Sequence, residues 1–464
     1  MIRFLFLCSL TVAAQDQGAA SPNWKAVEAE TMRHFQALLR FDTSDPPGKE
    51  LPAAEYLKKV LEADGIEVKT FAVNKDRPNV VARLKGTGKK RPILIMGHTD
   101  TVNVDLKKWT HPPYAAVRDG GYVYGRGTLD DKDNVVAALM SMLLLKRSGV
   151  TLDRDVIFLA ESGEEGHTRV GIQFMVGAHF NEINAEYCIA EGWGGLRQNG
   201  QLKFVAVATT EKTPYRATLI SRGPAGHGSK PLLTNALVHL STAISKVAAH
   251  RPPLRLNDTT RAYFERIATI STPEEATRYN GLFDPARTES IQDYLQANEP
   301  GHYSMLRTSL SPTIIHGGIR NNVIPSEAEA ALDIRLAPGE DGPAFLETLR
   351  KLINDPQIEL VRALADIRPA GPPSPLTNDA FQAIEAAGRA IYPGVPTIPT
   401  MMTGATDMAN LRAKGVQCYG IGPAVDEEDT AKGFGPHSDQ ERVLETELHR
   451  FVKYHYEIVK NLAK

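Results

Sequence analysis

Five side chains of metal-binding type stand where a run of sequence changes character. The apolar run at residues 92–96 leads into Gly97-His98-Thr99-Asp100, the run at 156–160 leads into Glu161-Ser-Gly-Glu-Glu-Gly166, and the run at 187–190 ends at Glu191. Open α/β sheets carry their sites beyond the carboxyl ends of the strands, so three such runs ending in histidine and acids describe a single site. Its centre is Asp130, in the glycine-rich turn Gly-Arg-Gly-Thr-Leu-Asp-Asp-Lys-Asp-Asn at residues 125–134. A carboxylate has two oxygens and can hold one divalent cation on each, which a lone histidine cannot do. His437, in the turn Gly433-Phe-Gly-Pro-His437, completes the set His98, Asp130, Glu165, Glu191 and His437. A nitrogen and oxygen shell with no thiolate suits zinc, and also cobalt or manganese.

Two pairs of neighbours refine the chemistry. His98 and Asp100 lie two apart at a strand end, where a neutral imidazole binds metal while a carboxylate orients its other ring nitrogen. Glu164 and Glu165 are adjacent on a turn and can face different ways, one toward metal and one toward a bound water. Either pair in isolation is more often a hydrogen-bonded turn or a solvated surface pair. The buried strand predicted directly before each one favours the site.

The elements that position these residues alternate between strand and helix, the signature of an α/β fold. Spacing of Trp24, Val27, Met32, Phe35, Leu38 and Leu39 predicts a first amphipathic helix, and Asp45-Pro-Pro-Gly48 stops it. A helix at 52–63 and strands at 68–73 and 79–84 follow. Residues 135–146 are apolar on nearly every side, which predicts a buried helix holding Asp130 at its N-terminal approach. After Glu211 the pattern changes. It gives a strand at 215–221, a helix at 235–248, a polar irregular portion at 271–301, strands at 312–315 and 327–336, a helix at 344–353 and a strand at 358–364. The Pro/Gly-rich residues 368–375 read as a linker back into the first domain, which closes with helices at 379–391 and 445–461 and a strand at 416–421.

A chain of 464 residues, 42% hydrophobic and 23% charged, exceeds one ordinary core and predicts about two or three domains. The formal charge of −2 and pI near 6.7 provide no global field for nucleic acid or an anionic membrane, which leaves a small-molecule or peptide ligand. Residues 1–14 carry Arg3, an apolar run from Phe4 and the small-residue site Val12-Ala-Ala14. They are expected to be a secretory signal peptide, the alternative being a short buried helix, and the protein is expected to be periplasmic or secreted. Cys8 would leave with the signal, while Cys188 and Cys418 lie in apolar runs and are expected to be buried thiols rather than a disulfide.

These motifs together resemble the M20 family of metallopeptidases, the relatives of aminoacylase, glutamate carboxypeptidase and the succinyl-diaminopimelate desuccinylases. Gly97-His-Thr-Asp-Thr-Val102 is similar to the family's first metal motif, residues 125–132 to its bridging-aspartate motif, and Gly163-Glu-Glu-Gly166 to its base-plus-ligand motif. Ala190-Glu191-Gly resembles the fourth ligand, and His437 followed by Glu441 the last. The resemblance implies a di-metal aminopeptidase-like catalytic domain at 22–212 and 367–464, with an inserted α+β lid and dimerisation domain at 213–366. It assigns His98 and Glu191 to one metal, Glu165 and His437 to the other, Asp130 to both, and a cis peptide bond after Asp130. Gly226-His227-Gly-Ser, residues 317–325 with Asn322, and Asp333-Ile-Arg335 match motifs of the lid. By that likeness His227 reaches the neighbouring subunit's active site, and Asn322, Arg335 and Gly404 meet substrate. The chain departs from the family at Gly163, where many members carry an acid, and at Asp133, where glycine usually follows the lysine.

The expected protein is therefore an exported hydrolase with two zinc ions per chain that cleaves an amide bond next to a free carboxylate, as a carboxypeptidase or dipeptidase. Glu164 would be its general base, with Asp100 and His227 assisting, and the protein would be a homodimer. An N-acyl-amino-acid deacylase or desuccinylase uses the same residues on another acyl group. A catalytically inactive binding protein of the same fold is the alternative from outside enzymology, as is a structural secreted protein, which predicts no bound metal.

Overall fold

A computed structural model describes residues 22–364 and 367–464. The expected signal peptide at 1–14 lies outside the described residues, as does Asp366, where the inserted domain was expected to end. Four apolar runs form the parallel centre of a ten-stranded sheet, in the order Val156–Glu161, Ile93–His98, Tyr187–Glu191, Gln417–Ile421. Nearly every residue of these strands is buried, as expected for strands covered on both sides. The register sets His98 opposite Glu161, and Glu191 opposite Ile421, so the strands deliver their chemistry at one edge. Cys188 and Cys418 are register partners in the middle of this sheet, both buried and free.

Helices cover both sides. On one, Trp24–Leu39, Leu51–Ala63, Lys132–Ser148, Asp379–Ile391 and Glu445–Ala463 bury a continuous apolar cluster. The Lys132–Ser148 helix is buried from Lys132 through Leu145 and ends on Gly149 at φ 62°, a left-handed C-cap. Its one buried hydroxyl, Ser141 Oγ, is 2.7 Å from His455 Nδ1 of the last helix. On the other side Ile172–Ala178 and Met408–Arg412 cover Leu94, Met96, Ile157 and Leu159.

A separate antiparallel sheet of five strands joins Thr213–Pro214, Glu327–Leu336, Ala217–Arg222, Ile358–Arg362 and Ser309–Gly317, and buries one side against the helices Ala236–Ala249 and Gly342–Ile353. The polar stretch 271–301, expected to be irregular, is instead helical: Pro273–Gly281, Thr288–Asn298 and the start of Pro300–Met305. Its first helix opens with a capping box between Thr272 and Glu275 and a proline in the first turn. The apolar stripe that holds these helices is sparse, namely Tyr279, Leu282, Ile291, Leu295 and Met305, and it lies on Phe204, Ile398 and Met401 of the large sheet. Two strands of that sheet, Gln201–Glu211 and Thr397–Met402, are not marked by sequence periodicity and pair in parallel. Among the described residues no helix is long and apolar enough to cross a membrane.

Candidate metal centre

His98 closes its strand and is 1% exposed, with Nε2 3.0 Å from Asp130 Oδ1 and 3.1 Å from a Glu191 oxygen. The second Asp130 oxygen lies 2.9 Å from His437 Nε2, which is 3.0 Å from Glu165 Oε1. Two triads, His98–Asp130–Glu191 and Asp130–Glu165–His437, thus share one carboxylate, and the donor atoms of each lie within 4.8 Å of one another.

Local structure fixes each donor. The Asp130–Asp131 peptide bond is cis, as the resemblance implied. Asp131 then turns back to accept the His98 backbone N–H at 3.0 Å, and Asn134 donates to its other oxygen at 2.7 Å. This approach needs glycine at Gly97, where a Cβ would fall 2.7 Å from the Asp131 carboxylate. Buried Glu441 accepts from the backbone N–H groups of Leu129 (2.8 Å) and Gly127 (3.2 Å) and pairs with Arg126 at 2.6 Å. Arg126 also donates to the Ser438 carbonyl at 2.8 Å, so one ion pair ties the Asp130 turn to the His437 loop. His437 itself has φ 61°, a left-handed backbone that costs a non-glycine residue about 1–2 kcal/mol.

Asp100 faces both His98 and the glutamate turn. His98 Nδ1 lies 3.1 Å from the Asp100 backbone carbonyl and 3.5 Å from its carboxylate. The carboxylate is occupied by the glutamate turn, accepting the N–H groups of Gly163, Glu164 and Glu165 at 2.8, 3.1 and 3.0 Å. The three amides converge on one anion, which also lies against the His98 ring. Gly163 has φ 78°, and a Cβ there would meet the His167 carbonyl at 2.7 Å.

The electrostatics show an acidic site short of positive charge. Burial pushes Glu191 up to about 8, with the Glu164 charge adding to it, and pushes Glu165 up to about 7, with Asp130 adding. Hydrogen bonds to Asp130 and Glu165 raise His437 to about 10. Burial works against a charged Asp130, yet the bonds from His437 and His98 hold its carboxyl below the usual range. Two imidazoles and three carboxylates at these distances fit a pair of divalent cations, which would supply the missing charge.

A cavity of about 400 Å³ opens over this cluster, lined by Asp130, Glu164, Glu165, Glu191 and His437, by Arg335 of the smaller sheet, and by Arg216 in the connection between two of its strands. Gly404 lines it too. Arg335 is held by Asp333 through Nε at 2.9 Å and Nη2 at 3.3 Å. Asn322 and His227 are exposed and do not line the cavity. They sit on the short ribbon that pairs Gly226–His227 with Val323–Ile324, where Ser229 donates its N–H to His227 Nδ1 at 3.1 Å.

Glu164, 8% exposed, is gripped by a residue that sequence reasoning passed over: Arg368 Nη2 lies 2.7 Å from its carboxylate and donates to its backbone carbonyl at 3.1 Å. The only sequence signal was an arginine placed before prolines, which reads equally as a linker. Behind the base, Glu161 and Asp407 line a void of about 10 Å³, and burial raises both carboxyls well above their usual range. Asp133 is raised in the same way, with neither carboxylate oxygen hydrogen-bonded.

Comparison with known proteins agrees with this geometry. The chain is 30% identical over 384 residues to the probable carboxypeptidase S-like 2 of Dictyostelium discoideum, covering 81% of this chain and 72% of that protein. It is 26% identical over 381 residues to the N-fatty-acyl-amino acid synthase/hydrolase PM20D1 of Xenopus tropicalis, covering 80% and 72%. Its fold matches the M20 family metallo-carboxypeptidase Sso-CP2 from Sulfolobus solfataricus with a TM-score of 0.71 at 20% identity, covering 94% of this chain and 99% of that one. The pattern of Peptidase family M20/M25/M40 matches residues 94–461, from the His98 strand to the last helix, and the chain belongs to that family as a metallopeptidase.

Proposed function

We propose that this enzyme hydrolyses an amide bond next to a free carboxylate, as a carboxypeptidase or dipeptidase that works with two zinc ions. The observation that carries the reading is Asp130, whose two oxygens face separate His–Glu pairs beneath a cavity walled by Arg335. Bound there, two divalent cations supply Lewis acidity that polarises the scissile carbonyl and lowers the pKa of a water to about 7. Glu164 accepts a proton from the attacking water and passes it to the amide nitrogen as the C–N bond breaks, giving a carboxylate and an amine. Arg368 keeps the Glu164 carboxylate aimed, and Asp100 holds the turn that carries both glutamates. The Arg335 fork takes the substrate carboxylate in two parallel hydrogen bonds.

Residues 213–366 form the lid in this reading, and a homodimer completes the site. Support comes from the edge strand Ser309–Gly317, where Ile314 and Ile315 are 53% and 59% exposed, an apolar edge of the kind that pairs with a second copy. Exposed His227 would then donate to the oxyanion in the partner's site, with Asn322 beside it. Residues 1–14 direct export, and Asp130→Ala protein would hold no zinc pair.

Assaying dipeptides beside acetyl- and succinyl-amino acids with added zinc tests the reading. Arg335→Ala should raise KM for dipeptides about tenfold or more while barely changing it for their C-terminal amides. Equal losses on both would remove the carboxylate reader. Deacylation of N-acyl amino acids is the second reading, favoured by the apolar side chains Leu129, Trp193 and Met402 in the same cavity wall.

A further inference from the structure

Trp193 is 60% exposed and lines the 400 Å³ cavity two residues after Glu191. A lone exposed apolar residue is ordinary; what sets this one apart is the backbone beneath it. A Cβ on Gly192 would fall 2.4 Å from the Gly420 backbone, and one on Gly194 1.8 Å from the Pro423 carbonyl oxygen. The chain on both sides of Trp193 is thus laid directly on residues 420–423, and Ala206 N–H anchors the Gly194 carbonyl at 3.0 Å. The indole is presented into the cavity by a fixed backbone rather than left on a loose loop.

The walls are divided by chemistry. Arg335 comes from the smaller sheet and Arg216 from the connection between two of its strands, whereas Leu129, Met402 and Pro436 join Trp193 from segments of the large sheet and its loops. Leu129 directly precedes Asp130, and Pro436 directly precedes His437, so this apolar surface adjoins the cation ligands. With the substrate carboxylate at Arg335 and the scissile carbonyl at the ligands, the group on the acyl side of the bond falls against the apolar wall. A cavity of this size has room for such a group besides an amino acid.

We propose that Trp193 is a specificity-determining residue that selects substrates with a bulky apolar group on the acyl side, either a medium-length or longer acyl chain or a large apolar N-terminal residue. The inference rests on the amide-hydrolysis reading above. Burying such a group against an indole is worth a discrimination of about 10- to 100-fold over an acetyl group.

The test compares N-octanoylleucine with N-acetylleucine, and Phe-Leu with Ala-Leu, using the zinc-loaded enzyme. Wild-type protein should favour the bulkier member of a pair by that ratio in kcat/KM. Trp193→Ala should collapse the ratio toward one through KM, and Trp193→Phe should restore most of it. A wild type without preference, or a Trp193→Ala protein that keeps the full ratio, overturns the proposal. Binding is read in parallel on zinc-loaded Glu164→Gln protein with and without Trp193→Ala. If wild-type enzyme cleaves none of the four compounds, the hydrolysis reading fails. The wall is then judged by dissociation constants alone, and equal values for the octanoyl and acetyl compounds with Trp193 present sink it.

Discussion

The two halves of the metal centre share Asp130 and are built in opposite ways. His98 and Glu191 end adjacent parallel strands, and the His98 side chain is 1% exposed. Glu165 and His437 come from loops, and the His437 side chain is 52% exposed on a left-handed backbone. His98 and Glu191 are each still in register with a neighbouring strand, at Glu161 and Ile421, whereas a loop donor depends on a few contacts. Here those contacts are Asp100 under Glu165 and the Arg126–Glu441 pair beside His437. The strand half is therefore expected to hold a cation more firmly than the loop half.

The severest test removes what both halves share. Asp130→Ala should lose both cations by elemental analysis and about four or more orders of magnitude in kcat/KM, since neither polarisation nor water activation survives. Full metal content in that variant would falsify the shared-carboxylate geometry. Next comes the pair of adjacent glutamates. Glu164→Gln should keep both cations and lose about two to four orders of magnitude in kcat, the contribution of a positioned base. Glu165→Gln should lose the loop cation first, so identical behaviour of the two variants would erase their division of roles.

The contrast between halves is sharpest in a chelator titration. His437→Ala should give up one cation at low chelator and retain the other, whereas His98→Ala should disturb the strand site. If both variants release their ions at the same chelator concentration, the halves are equivalent and the comparison fails. The smallest effect falls on the support of the loop half. Glu441→Gln should weaken the second cation by about 10- to 100-fold, as outer partners of metal ligands do, and leave the first within about twofold.

The same contrast governs how much the sequence discloses. The strand half is legible because a run buried on both faces has no polar interruption, and His98, Glu161 and Glu191 stand where the run stops. Asp130 is legible through its glycines and the wholly apolar helix beyond. The loop half depends on His437 in a Gly/Pro turn, and its roles came with the family resemblance rather than from spacing. Arg368 stayed hidden because its partner Glu164 is 204 residues away and no local pattern connects them. The strand Gln201–Glu211 escaped notice because its later half carries Thr209, Thr210 and Glu211 in buried positions, where alternation predicts none. The helices of 273–305 escaped it because each is short and shows only a few apolar residues to its neighbours. Asp100 stands beside His98 as its spacing suggests, but its bonds to the three amides of the glutamate turn, 63 to 65 residues away, follow from no local pattern.

Cys188 and Cys418 face one another at the centre of the parallel sheet with no exposed surface. Burial lifts the Cys188 thiol far from its ordinary range and so suppresses the thiolate that reacts with alkylating reagents. Labelling can therefore proceed only when the sheet opens, and its rate in protein lacking Cys8 becomes a clock for opening of the core. Because the strand that carries Cys188 ends in Glu191 and the strand beside it ends in His98, that clock should slow when cations occupy the strand half, and it reports their grip on the fold without any substrate.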